Sequence, residues 1–296
     1  MTNDNQGQAK GYLYTAQAFV SWGLLPIYWK LLSHLPAMEI LAHRILWSLI
    51  FVVIFLYIRG KLHLGVIFKN KKSLLTLIIT GLLVGSNWGV YIYAVNSGQI
   101  VEASLGYYIT PLVNVVLGII FLQERLSKLQ LIALLLAATS VLYLTIDYGQ
   151  FPWVAIYLAF SFGLYGLLKK KSGVDSLPAL AIETLVLTPF ALTYVVWKMV
   201  DGTGHLFAGD LLTDTLLILA GVVTTLPLYW FAQGAKRITL TSVGFMQYIG
   251  PTIMLLLGIF IYKEGFPLEQ KIAFSFIWLA LAFYSYTIIF KSRIAK

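Results

Sequence analysis

"SLGYYITPLVNVVLGIIFLQE" (residues 104–124) and "VGFMQYIGPTIMLLLGIFIYKE" (residues 243–264) are two apolar stretches written to one plan. Each has a proline near its middle, a glycine seven positions on and a glutamate at its end. Pro111 and Pro251, Gly118 and Gly258, and Glu124 and Glu264 are each separated by 140 positions. The same offset lays "GLLVGSNWGVYIYAVNSGQIVEAS" from Gly81 over "GVVTTLPLYWFAQGAKRITLTSVG" from Gly221, Trp22-Gly23-Leu24 over Phe162-Gly163-Leu164, and Gln130 over Gln270. One gap-free offset over most of the chain reads as duplication of a unit, the first copy over 1–148 and the second over 149–296.

The composition says where such a unit lives. Hydrophobic residues make up 59% of the chain, charged residues 11%, and the mean hydropathy is +0.83. A soluble domain is about half apolar and about one quarter charged, so this is a membrane protein. A bilayer core of about 30 Å needs roughly 20 apolar residues in a helix. Blocks of that kind fall near 11–33, 37–58, 73–97, 103–122, 129–146, 152–169, 178–199, 214–235, 241–262 and 269–290. The expected fold is therefore all-α: ten transmembrane helices, five per copy. The first block is too long and too aromatic for a cleaved signal peptide.

The net charge is +9, but the basic residues form no arginine-rich stripe of the kind that binds nucleic acid. They sit between the blocks. With the N-terminus inside, Lys10, the Lys and Arg residues of 59–72, Arg125, Lys128, Lys169, Lys170, Lys171, Lys236, Arg237 and the C-terminal cluster face the cytoplasm. Only Lys30, Lys198, Lys263 and Lys271 face away. That bias places both termini in the cytoplasm, with the protein in a plasma or inner membrane. Five spans per copy is an odd number, so the second copy sits inverted relative to the first. Inverted copies give a solute two alternative openings around a site near the midplane.

Chemistry-bearing residues are sparse. Tyr107, Pro111, Asn114 and Gly118 share one helical face, and their mates Gln247, Pro251, Met254 and Gly258 share the matching one. A midspan proline frees a carbonyl that lipid cannot satisfy. These faces read as cavity-lining hinges, with close helix packing as the other use of the glycines. Asn87 and Tyr91 lie one turn apart and face together, toward solute or toward a neighbouring helix. Trp22, Tyr165, Trp230 and Gln233 complete the expected cavity lining, with core packing the plainer role for the aromatics. Glu39, Arg44 and Glu183 are the ionisable groups inside spans, serving proton transfer or ion pairing. Glu39 can pair with His43 at i, i+4, and Arg44 points elsewhere and wants a partner. Glu124 and Glu264 cap or orient the helix that follows. The paired faces carry amide, hydroxyl and aromatic groups, which favours neutral, zwitterionic or amphiphilic organic solutes.

Beyond the repeat, "LLPIYWK", "EILAHRILWS" and "EASLGYYITPLVN" closely resemble RarD-type proteins of the EamA family in the drug/metabolite transporter superfamily. The resemblance spans nearly the whole chain and is weaker in the second copy, where "AIETL" and the Pro251–Glu264 register carry it. It implies ten helices in two inverted copies, a central cavity, and movement of small organic solutes across a bacterial inner membrane.

There are no cysteines and four scattered histidines, so neither a metal site nor a cofactor is expected. No GxxxxGK[ST] loop is present, which disfavours ATP drive within the chain. The Asp residues lie in the tail or loops, so an intramembrane enzyme lacks its paired carboxylates. The expected function is a secondary transporter of a small organic solute such as an amino acid or related metabolite, by alternating access. A channel is the alternative, and the oligomeric state is left open.

Overall fold

The computed structural model describes residues 2–60, 65–263 and 265–294. Glu264 and part of the basic 59–72 link therefore lie outside the described residues. Within them the chain is helical, with no strand: α1 (Thr2–Leu31), α2 (Ala37–Ile58), α3 (Gly65–Lys69), α4 (Lys71–Asn96), α5 (Ile100–Leu122), α6 (Lys128–Tyr148), α7 (Trp153–Lys171), α8 (Ser176–Val200), α9 (Leu211–Arg237), α10 (Leu240–Gln247), α11 (Ile249–Phe260) and α12 (Leu268–Ile294). All ten expected blocks fall in helices. Seven segments are long and apolar enough to cross a membrane by length and composition: α2, α4, α5, α6, α8, α9 and the α10–α11 run.

Helices are the only open-ended way to satisfy every backbone N–H and C=O in lipid. Their ends are secured by side chains. Asn70 accepts from Ser73 N at 3.1 Å, and Ser127 and Gln130 form a reciprocal capping box at 3.3 and 2.9 Å. Gly149, at φ 73°, ends α6 in the left-handed conformation glycine adopts freely. Only 22% of the apolar window of α6 is buried within the protein. The exposed remainder, including Leu142 and Ile146, is the surface a lipid tail covers.

Block 241–262 matches one spanning run, Leu240–Phe260, in which the structure interrupts the regular helix at the single residue Tyr248, dividing α10 from α11. Proline has no N–H, and its ring clashes with the carbonyl four residues earlier. For Pro251 that residue is Gln247, the last residue of α10. The opening also differs: the polar tail from Thr2 continues α1 rather than preceding it.

The packing interleaves the two copies. α1 lies on α9, α10 and α11, while α7 lies on α4 and α5. α2 packs on α8 and α9, α4 on α8, α5 on α10, and α6 on α12. Exchanging α1 with α7, α2 with α8, α4 with α9, α5 with α10–α11 and α6 with α12 carries each of these pairs onto another or onto itself. The largest core cluster joins both copies, including Phe19, Ala42, Val113, Tyr165, Leu180, Phe231 and Leu240.

Glycines set the closest approaches. A Cβ on Gly221 would lie 2.4 Å from Trp47 C and 2.7 Å from Ser48 N, so α9 crosses the α2 backbone there. Ser48 Oγ donates to Gly221 O at 3.1 Å in the same crossing. Gly221→Ala is expected to destabilise the protein by about 1–3 kcal/mol through overpacking. Gly89, in open space, is the control: Gly89→Ala leaves the unfolding midpoint unchanged or raises it. Thermal unfolding of the two purified variants checks this.

Candidate functional site

Where α5 crosses α10, the two duplicated stretches meet. A Cβ on Gly244 would lie 2.6 Å from Pro111 O, and this contact brings Asn114 and Gln247 together, with Asn114 Nδ2 donating to Gln247 Oε1 at 2.8 Å. Both amides are buried, and Asn114 Oδ1 has no hydrogen-bond partner among the described residues. A register pair sits beside them: the Tyr248 hydroxyl donates to Tyr108 O at 3.2 Å.

An aromatic cluster flanks the amides. Trp22 and Phe162 meet edge to face at 5.6 Å between ring centroids, and Phe231 contacts both at 5.7 and 5.2 Å. Trp22 and Phe162 thus touch each other and Phe231. Tyr165 stacks on Phe231 at 5.9 Å and is fully buried, so it belongs to the core rather than to an open wall.

At one end of the bundle the copies are tied by charge. Lys169 and Glu183 are both buried and pair at 2.9 Å. Glu183 also accepts from Thr80 Oγ1 at 2.6 Å and from the Tyr165 hydroxyl at 3.4 Å. Lys170 Nζ donates to Ala235 O at 3.0 Å and to Ile238 O, and Lys236 Nζ donates to Val174 O. The Glu124 carboxylate accepts from Leu240 N at 2.6 Å and Thr241 N at 2.8 Å, capping α10 from the end of α5. Gly118 makes room for it, since a Cβ there would lie 2.7 Å from Glu124 Oε2. At this same end Gln233 accepts from the Arg237 guanidinium one turn along α9, away from the amide pair.

The opposite end is built differently. Arg44 Nε donates to Thr224 Oγ1 at 2.9 Å, and its guanidinium carbon stands 4.7 Å from the Trp88 ring and 4.8 Å from the Trp29 ring. Tyr28, Tyr91 and Tyr107 are its electrostatic neighbours, and the rings of Tyr91 and Tyr107 meet at 6.1 Å. Glu39 does not pair with His43. Its two oxygens take His205 N at 2.7 Å and His205 Nδ1 at 2.9 Å, fastening the 201–210 loop to α2. Glu102 accepts from Val154 N at 2.6 Å and the Tyr148 hydroxyl at 3.0 Å, tying α5 to the start of α7.

The sequence-derived set thus divides into three places. Asn114, Gln247 and Pro111 gather at the crossing, with Trp22 in the aromatic cluster beside it and Pro251 one turn beyond Gln247 in α11. Tyr91 and Tyr107 gather with Arg44. Asn87 gives both Nδ2 hydrogens to α7, to Leu158 O and Ser161 Oγ at 2.9 Å each. Trp230 is half-buried against the main core, and Gly258 is buried in α11. Arg44, expected to find an ionic partner, has none among the described residues. Sequence reasoning missed Lys169, treating it as a loop charge. Its signal was its place one turn after Tyr165, on a face the helix buries.

The buried ion pair gives a prediction. Removing one partner of such a pair costs about 3–5 kcal/mol, because the other charge is left alone in a dry site. Lys169→Met is expected to lower stability by about that amount, and adding Glu183→Leu recovers part of it. A double-mutant cycle on unfolding midpoints in detergent measures the difference.

The description of the EamA-like transporter family matches residues 9–146 and again 152–286. The uncharacterized transporter YojE of Bacillus subtilis is 47% identical over 97% of this chain and 97% of its own length. Protein RarD of Escherichia coli is 40% identical over 98% of each chain. A solved structure described only as a crystal structure of a protein aligns with a TM-score of 0.71 at 18% identity, covering 92% of this chain and 96% of that one, which speaks for the fold alone. A doubled family match over nearly all of a chain with several apolar helices identifies this protein as a multi-pass membrane transporter that belongs to the EamA-like transporter family.

Proposed function

We propose that the protein is a secondary transporter that moves a small organic solute by alternating access between two inverted five-helix copies, residues 1–148 and 149–296. The observation that carries this reading is the unequal state of the two ends. One end carries the buried Lys169–Glu183 pair with Lys170, Lys236 and Glu124 as further ties, while at the other Glu39 holds His205 and Arg44 stands beside two indoles with no carboxylate partner among the described residues. Under the charge bias the closed end is cytoplasmic, with both termini on that side of a plasma membrane. The exchange relation among helix pairs and the contact between register mates Tyr108 and Tyr248 support the duplicated, inverted arrangement.

In this reading the solute site lies beside the α5–α10 crossing. Asn114 Oδ1 is a buried acceptor without a partner, and such a group costs about 1–3 kcal/mol unless something donates to it. A solute N–H or O–H supplies that donor. Trp22, Phe162 and Phe231 offer the apolar wall. The break before Pro251 gives α10 and α11 freedom to move as separate rods.

Solute-loaded proteoliposomes test the reading. Uptake of labelled solute is expected to saturate and to show counterflow, whereas non-saturating flux without counterflow identifies a channel and overturns it. Asn114→Ala and Gln247→Ala each weaken solute affinity by roughly tenfold, the loss of about one buried hydrogen bond. Pro251→Ala, which restores a continuous helix, slows exchange while leaving equilibrium binding near the wild-type level.

A further inference from the structure

Arg44 is a cation that the protein has positioned and left uncompensated. Its Nε is held by Thr224 Oγ1, a buried hydroxyl. Its guanidinium carbon stands over the Trp29 and Trp88 rings at 4.8 and 4.7 Å, contacts in which indole faces attract a guanidinium without satisfying its N–H groups. Nη1 and Nη2 donate to no described residue, and no carboxylate within the described residues pairs with it. The groups electrostatically coupled to it are the phenols of Tyr28, Tyr91 and Tyr107, which are neutral at physiological pH. The Tyr28 hydroxyl is already committed to Leu216 O. Tyr91 and Tyr107 are 37% and 39% exposed, so the side chains beside Arg44 are only partly buried.

We propose that Arg44 is the docking point for the carboxylate of an organic acid or zwitterion, received by Nη1 and Nη2 with the hydroxyls of Tyr91 and Tyr107 as further donors. A guanidinium presents parallel N–H donors that match a carboxylate two to two. The indoles and the Thr224 bond fix the plane of that fork, so little side-chain freedom is lost on binding. A single cation among neutral phenols compensates one negative charge, which suits a carboxylate and leaves a phosphate monoester undercompensated. Arg44 lies about 10 Å along α2 from its first residue, taking 1.5 Å per residue. This proposal rests on the transporter reading for its purpose, since a carboxylate held here stands at the end of the bundle that Lys169–Glu183 does not close.

The test uses the purified full chain in detergent and matched probes: benzoate, phenylacetate, indole-3-acetate and phenylalanine, each beside its primary amide, with inorganic phosphate as a further arm. Ligand-dependent rise of the unfolding midpoint reports binding to the folded form. At least one acid is expected to stabilise the wild type, with its amide weaker by at least about tenfold, the worth of a charge-assisted pair. Arg44→Gln abolishes the shift, and Arg44→Lys, which keeps the charge but loses the fork, weakens it. Tyr107→Phe, the mildest change, lowers acid affinity severalfold and guards against a misfolded Arg44 variant. The proposal is overturned if no acid shifts the midpoint, if acid and amide act alike, if phosphate matches the acids, or if Arg44→Lys and Tyr107→Phe both bind as wild type. Counterflow separates this from the transporter reading: solute exchange that ignores Arg44 leaves the carrier standing and removes the docking site. Arg44-dependent binding without flux does the reverse.

Discussion

The carboxylate of Glu124 holds the two copies in register. α10 is only eight residues long and starts inside a membrane protein, where its first N–H groups have no water to meet. Glu124 takes those of Leu240 and Thr241, and the Thr239 hydroxyl takes that of Ser242 at 3.1 Å. Every orphan donor of the first turn is thereby accounted for. Because Glu124 is delivered by the end of α5, capping α10 also fixes the distance between helices from different copies. Gly244 can then close on Pro111 O, and Asn114 can reach Gln247. Without that cap, the start of this short helix would be held by the Thr239 hydroxyl alone.

Charge is distributed by the same logic of desolvation. An ion in a low-dielectric interior needs a partner or it changes state. Lys169 and Glu183 solve this with each other, and the Thr80 and Tyr165 hydroxyls complete the carboxylate's shell. Arg44 solves it by a different route: one hydroxyl, two indole faces and access to the outside of the core. Guanidinium is weakly hydrated and tolerates aromatic surroundings that a lysine ammonium does not. The two ends of the bundle therefore differ in kind: one holds a buried ion pair, and the other a guanidinium with no carboxylate partner among the described residues.

The helices and the 140-residue register were legible because each depends on local spacing, whereas the hydrogen bond from Asn114 to Gln247, which are not register mates, was not. The break at Tyr248 was half legible. A midspan proline was visible, but so was the same proline at 111, where α5 runs on unbroken. The charge partners were not legible, because register mates carry different chemistry. Glu183 lies over His43, Lys169 over Trp29 and Arg44 over Thr184, so symmetry points to none of their contacts. Glu39 had a local candidate in His43 and chose His205, 166 residues away, because the 201–210 loop folds over the start of α2.

Pro111 and Pro251 occupy one register position and have opposite consequences, and their surroundings explain why. In α5 the chain before Pro111 is anchored at both flanks: Thr110 Oγ1 returns to Gly106 O at 2.6 Å, and Gly106 itself is packed against Ala155 and Leu158 of α7. Bending α5 there would open that contact. The chain before Pro251 is α10, whose start is held by Glu124 and whose end is held by Asn114, so both attachments lie outside the interruption at Tyr248. The proline supplies the weakness in both copies, and tertiary contacts decide which copy yields. A duplicated sequence can in this way hold two unlike backbones at once, regular through Pro111 and interrupted at Tyr248 before Pro251.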